Sequence, residues 1–215
     1  MNGVTFTNKS ISIHSYDDWG LLLSSYDVEM PSPKTEYVDI TGGDGTLDLT
    51  ETYGRVFYND RTITINLTAL DDELRWTDKL DTIIATLHGK TFKIAFDNNN
   101  QWYYNGRIEV NKYSTSKRLG KIVLKATCEP YKLKQLVTTV KKTVDGTLSF
   151  DCVNARMETI PTFKVTAPMT MIYKGNSYAL KDEVKFNDLI FNEGDNLLQI
   201  NGTGDIEITY QEGTL

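Results

Sequence analysis

Residues 71–90 read DDELRWTDKLDTIIATLHGK, and this stretch decides what the rest of the chain can be. Trp76, Leu80, Ile83, Ile84 and Leu87 fall together on one side of a 3.6-residue spiral, and Thr77, Asp78, Lys79 and Asp81 fall elsewhere. Asp71, Asp72 and Glu73 put negative charge in the first turn, where it suits the helix dipole. His88 closes the last turn, and Gly89 suits the left-handed cap position. The pattern predicts an amphipathic helix over about 71–88. Outside it the chain reads as short strands and turns, so the stripe must be buried against a sheet.

The flanks support that reading. Ile63, Ile65 and Leu67 alternate up to the helix, and Phe92, Ile94 and Phe96 alternate after it. Val4 and Phe6, then Ile11 and Ile13, alternate loosely, as an edge strand would. Residues 15–23, SYDDWGLLL, read as a turn running into an apolar strand that brings Trp19 and Leu21 to Leu23 to the core. MPSPK at 30–34 must be extended, because Pro31 and Pro33 forbid both helix and a central strand. TEYVDI is a short strand, TGGDGT at 41–46 a glycine-rich turn, and residues 47–67 read as strands around Asn59 and Asp60. In WYYNGRIEV, Asn105-Gly106 signals either a hairpin turn or a bulge in a continuous strand. SKRLGK is a turn, and residues 121–128 form a strong strand.

A domain boundary is expected near residue 132, giving domains 1–132 and 133–215. The second part holds no helix signal. It reads as a hairpin around Asp145-Gly146 followed by further short strands, with turns at Lys174-Gly175-Asn176, Gly194-Asp195-Asn196 and Asn201-Gly202. That spacing suggests a β-sandwich, so the fold class is mostly β, with one helix in the first domain and a sandwich in the second.

Composition excludes several classes. The net charge is −6. Residues 1–132 carry 15 basic and 18 acidic side chains, and residues 133–215 carry 8 and 11, so each part is −3. Neither half shows the basic excess of a protein that grips nucleic acid. No window is apolar enough to span a bilayer, and the first residues lack a signal-peptide pattern. Cys128 and Cys152 each fall in phase with buried strand positions and read as structural thiols.

Candidate chemistry is thin. Asp17/Asp18 and Asp71/Asp72/Glu73 are the carboxylate clusters, better read as a solvated turn and a helix start than as an acid–base pair. A nucleophilic triad needs a base, and only His14, beside Ser10, Ser12 and Ser15, and His88 are available. TGGDGT lacks the Lys-Ser/Thr ending of a phosphate loop. DNNNQ at 97–101 has Trp102 where a calcium loop needs Gly and Ile108 where it needs Glu. Trp102, Tyr103 and Tyr104 could stack on sugars or bases, or pack in a core. No catalytic residue, metal site or cofactor is expected.

In their order and spacing, five stretches resemble the distal tail proteins of siphophages: residues 30–51 with the Gly-Asp-Gly turn, Arg61 to Leu67, residues 87–97 with 103–110, RLGKIVLKATCEPYK at 118–132, and NLLQINGTGDIEITYQEGTL at 196–215. The resemblance implies a hexameric ring at the tail tip, formed by an N-terminal β-sandwich domain with one helix, and a galectin-like C-terminal β-sandwich pointing outward. Implied partners are other copies of the chain, the tail tube protein and fibre, baseplate or receptor-binding proteins. DNA would pass through the ring without specific binding, in a weakly negative channel. The implied location is the virion, after assembly in the host cytoplasm. Within the Met30–Leu49 run, Pro31, Pro33, Tyr37 and Asp44 are the expected inter-subunit contacts. The alternative is a carbohydrate-binding module, with Tyr178 beside Asn176 as the best sugar platform and Tyr173 or Tyr210 as others. A wall hydrolase lacks a catalytic constellation.

Overall fold

The computed structural model describes residues 3–69, 73–116 and 119–215. The chain forms two compact units that divide after Pro130. Both are built of strands, with one long helix. The acidic first turn expected at Asp71 and Asp72, and the turn expected at Lys117 and Arg118, lie outside the described residues.

The first unit contains β1 (Val4–Thr7), β2 (Ser12–His14), β3 (Leu22–Val28), β4 (Tyr37–Asp39), β5 (Thr46–Asp48), β6 (Arg61–Ala69), α1 (Glu73–Leu87), β7 (Thr91–Phe96), β8 (Trp102–Ser116) and β9 (Leu119–Cys128). Seven strands form an antiparallel sheet in the order β2-β1-β7-β8-β9-β6-β3. β6 shows why it sits inside: its burial alternates without a break, and Ile63, Ile65, Leu67 and Ala69 are all at or below 1% exposure. The sheet curls. Tyr26 on β3 stacks on Phe96 of β7 at 3.9 Å between ring centroids. These strands are four places apart, roughly 19 Å in a flat sheet at ~4.8 Å per strand. The curl encloses one core, and α1 closes it with Trp76, Leu80, Ile83 and Leu87 buried and Ile84 packed at its margin.

A lone helix of this length is marginal in water. Burying these four side chains, at about 1.5–3 kcal/mol each, is what holds it. Trp76 lies directly on β9 at Gly120, where any Cβ would fall 2.3 Å from the indole. The indole N–H donates to Thr115 Oγ1 at 3.0 Å. At the other end, Gly89 takes φ +75°. His88 precedes it. Its Nδ1 accepts the Val110 N–H at 3.0 Å, beside the bulge that shifts the β8–β9 register between Val110 and Lys112.

Several local expectations are corrected. β1 is not an edge strand: it lies between β2 and β7, with Val4 and Phe6 fully buried, and β2 takes the edge. Leu22, the first residue of β3, is 39% exposed, while Leu21 just before it is buried. β8 runs unbroken through Asn105-Gly106, and the bulge lies further on. Gly106 serves space rather than turning, since Cys128 Sγ occupies the place its Cβ would need. Residues 49–60 turn at Thr50–Arg55 rather than at Asn59 and Asp60.

The second unit contains β10 (Lys132–Lys134), β11 (Thr138–Asn154), β12 (Thr162–Val165), β13 (Met169–Tyr173), β14 (Asn176–Leu180), β15 (Glu183–Lys185), β16 (Gly194–Tyr210) and β17 (Gly213–Thr214). Its frame is one ladder: all of β11 pairs with all of β16, from Thr138↔Tyr210 to Asn154↔Gly194. The hairpin expected at Asp145-Gly146 and the turn expected at Asn201-Gly202 are absent. Both glycines lie inside these strands and face each other in register. There the ladder bends. Gly202 and Gly204 take φ +151° and +136°, and a Cβ on either would strike Met169 or Thr166. Along the edge of β16 that β11 leaves free, β13 pairs with residues 199–201 before the bend and β12 with residues 206–209 beyond it.

Folding the ladder makes the two layers. The Tyr210 hydroxyl donates to the Val153 carbonyl at 2.6 Å. Val153 pairs with Asp195, fifteen residues from Tyr210 along β16 (210 − 195), or roughly 50 Å in a straight strand. Phe191 sits between the layers, edge-on to Phe163 at 6.5 Å and to Tyr210 at 5.3 Å. The C-terminal Gly213 pairs with Leu133, and Glu212 Oε1 accepts from Lys134 Nζ at 2.6 Å and from the Thr138 hydroxyl. Burial opposes the charged form of Glu212, but these two donors outweigh it, and its carboxyl lies below the ordinary value.

Candidate functional site

The feature that stands apart is an arm between β3 and β6. Its two legs zip together from the base. Asn59 N–H donates to the Ser32 carbonyl at 2.9 Å, Lys34 N–H to the Phe57 carbonyl at 2.7 Å, and Leu49 N–H to the Glu36 carbonyl at 2.8 Å. Pro31 and Pro33 keep the ascending leg extended, and Pro33 bridges Tyr58. At the tip β4 and β5 form a two-stranded sheet that, among the described residues, pairs with no other strand. Gly42 and Gly45, at φ +78° and +81°, let TGGDGT reverse the chain between them. The glycine-rich loop is thus a hairpin turn. Hydrogen bonds from the Thr50 hydroxyl and N–H hold the Asp48 carboxyl below its usual range.

An isolated two-stranded ribbon is marginally stable in water. This one also leaves apolar side chains in solvent: Met30, Tyr37, Val38, Ile40, Leu47, Tyr53 and Phe57 are 38–82% exposed. Exposed apolar groups gathered in one segment mark a surface that another molecule covers. The register divides the tip into two faces. Tyr37, Asp39, Thr46 and Asp48 lie on one, and Val38 and Leu47 on the other.

Of the expected contact residues, Pro33, Tyr37 and Asp44 are exposed on the arm, while Pro31 is buried within its own chain. The rings expected to hold sugar are buried. Tyr178 is 8% exposed and packs on Phe186 at 4.9 Å, with its hydroxyl on Asp188. Tyr173 and Tyr210 are each 4% exposed, and only Asn176 is exposed. None of these rings offers a face to a ligand. Tyr103 and Tyr104 are both buried, so they form no stacking platform.

The polar clusters are structural. Ser15 is fully buried and its Oγ accepts the Val4 N–H at 3.1 Å, leaving it no role beside His14. His14 lies between carboxylates, with Nδ1 2.8 Å from Asp17 and Nε2 3.2 Å from Asp97. Asp18 accepts the His14 N–H at 2.7 Å and Asp97 accepts the Gly3 N–H at 2.7 Å, so the group pins the first strand to the turn after β7. The described residues include no cluster that could hold a metal ion. Burial pushes the Cys128 thiol up to about 12 and that of Cys152 up to about 11, and both are free. Arg61, unremarked in the sequence, is a buried cation of the first unit: it donates to the Pro130 carbonyl and lies over the Tyr104 ring, and desolvation lowers its pKa.

By sequence, no family model and no curated protein matches the chain. Among solved structures, it aligns over 100% of both chains with the crystal structure of the SPP1 Dit protein, described as a paradigm of the hub adsorption apparatus in phages infecting Gram-positive hosts, at a TM-score of 0.72 and 15% identity. The chain has the Dit fold. The shared fold covers both units.

Proposed function

We propose that this chain is a structural protein of a bacteriophage tail tip, a Dit-like hub that forms a hexameric ring. The observation that carries this is the full-length fold match together with an arm whose apolar surface has no cover in its own chain. The first unit forms the ring, and its arm reaches the neighbouring subunit. The second unit points outward and receives fibre or baseplate proteins, and the tail tube seats on the ring. DNA passes through the centre, and the net charge of −6 suits a channel that does not retain it. The assembled protein resides in the virion.

The test is solution mass by light scattering across a concentration series, with and without residues 30–36. The expected result is a hexamer, or two stacked hexamers, that the truncation dissociates. A truncated chain that still forms intact rings would count against the arm's part in assembly.

A further inference from the structure

Charge is spread evenly between the two halves of the chain, but not within the first unit. Residues 35–54, the upper arm, contain Glu36, Asp39, Asp44, Asp48 and Glu51 and no Lys or Arg, a balance of −5. Residues 110–128, the β8–β9 hairpin, contain Lys112, Lys117, Arg118, Lys121 and Lys125 and no Asp or Glu, a balance of +5.

Registers place these charges on faces. On the arm, Asp39 and Asp48 share the face of Tyr37, as described. On the hairpin, Lys112 lies opposite Val123, and Lys121 opposite Ser114. Val123 lies between Lys121 and Lys125 on one strand, so all three lysines share a face. That face is the outer one, since Ile122 and Leu124 point into the core. Lys112, Lys121 and Lys125 are exposed, and Lys125 faces Glu109 across the ladder. The hairpin face also presents the half-buried Val123 and Leu119. No described ion pair joins the arm's carboxylates to these lysines within the chain.

We infer that the acidic face of the arm docks on the basic outer face of the β8–β9 hairpin of a second copy. This deepens the ring reading and rests on it, because it names where on the neighbour the arm lands. Two complementary patches on different parts of one surface make a head-to-tail contact, which repeats around a ring until it closes. Like-signed ends cannot pair, so the charges also fix the direction in which each copy follows the last. The contact is screened by salt, and the ring therefore loosens as ionic strength rises.

The test is a charge swap on the full chain, read as solution mass against concentration in ~50 mM salt, below the level at which exposed charges are well screened. Asp39→Lys with Asp48→Lys reverses the arm, and Lys112→Glu with Lys121→Glu reverses the hairpin. Each pair turns about two attractions into repulsions and weakens association on the order of tenfold to thirtyfold. All four changes together restore it, because each reversed arm then meets a reversed hairpin. Unchanged association in either two-site variant, or failure of the four-site variant to recover, overturns the proposal. So does a wild-type chain that stays monomeric up to about 1 mM. If the lysines serve DNA instead, Lys112→Glu with Lys121→Glu lowers binding of a short duplex and leaves mass unchanged, which also overturns it. Replacing residues 37–48 by a Gly-Ser link separates the two readings. If that change dissociates rings that the reversals leave intact, the docking site is wrong and the arm's role stands. All changed positions are solvent-facing, and thermal unfolding of each variant checks that it folds.

Discussion

Replacing Gly120 by Ala adds a single methyl group, and its effect can be worked from the contact it would make. The new Cβ would lie 2.3, 2.5 and 2.6 Å from Cδ2, Cε2 and Cε3 of Trp76. Carbon atoms need about 3.5 Å or more, so the indole must retreat by about 1 Å. It has nowhere to go, being 1% exposed between α1 and the sheet. Overpacking of this kind costs about 1–3 kcal/mol. A retreating ring also strains the Trp76 Nε1–Thr115 hydrogen bond, worth about 1 kcal/mol. The expected loss is therefore about 2–4 kcal/mol, or roughly 6–20 °C in the midpoint of a unit of this size. Trp19, Trp76 and Trp102 all belong to the first unit, so tryptophan fluorescence during urea unfolding follows that unit alone. Trp76→Leu in the same chain makes room, and the double variant should be more stable than the two single losses predict. A Gly120→Ala chain within about 0.5 kcal/mol of wild type, or strict additivity in the cycle, would refute the claim that helix and strand meet ring on backbone.

Three further outcomes follow from the second unit and the thiols. Glu212, whose carboxyl is depressed in the fold, stabilises above its ordinary pKa of 4.5 and loses that contribution as pH falls through the lower folded value; Glu212→Gln should lower the midpoint of the second unit at pH 7 and flatten its decline below about pH 4.5, as read by calorimetry. Tyr210→Phe removes the donor to the Val153 carbonyl and should cost about 1–2 kcal/mol in the second unit, with the tryptophan-monitored transition unmoved. Cys128 and Cys152 should resist a thiol reagent at pH 8 in the native protein and both react in guanidinium; rapid native labelling of either would contradict their burial.

Periodicity made much of this fold legible. The helix stripe, the β6 and β7 alternation and the phases of both cysteines follow from side-chain spacing alone, because each element buries one face. Turn chemistry misled wherever glycine served another purpose. Gly106 makes room for Cys128, and Gly146 and Gly202 bend a paired ladder rather than end it. A dipeptide cannot show whether its strand has a partner on both sides of the turn. The tyrosines failed for a related reason. Tyr178 beside Asn176 reads as a surface platform, but the preference of a ring for the core depends on which layer lies above it. The arm was half visible: its prolines and glycines announced an extended, reversing segment, yet its exposed apolar side chains resemble ordinary strand residues until no second sheet covers them. The opposed charge runs at 35–54 and 110–128 were present as plain composition, but averaging over whole domains cancelled them.

The folded ladder of the second unit also sets a schedule for the growing chain. Among the described residues β11 has one partner, β16, and the fifty-six residues that follow Asn154 up to Tyr210 (210 − 154) must be made before its last rung forms. At roughly 5–20 residues per second, a ribosome leaves that strand waiting about 3–11 s. The strands made in between cannot complete the frame, since β12 and β13 themselves pair with β16. The frame therefore completes only after β16 has been made, and a ribosome that stalls near Gly202 would hold a chain with its longest strand edge open to any neighbour on the same message.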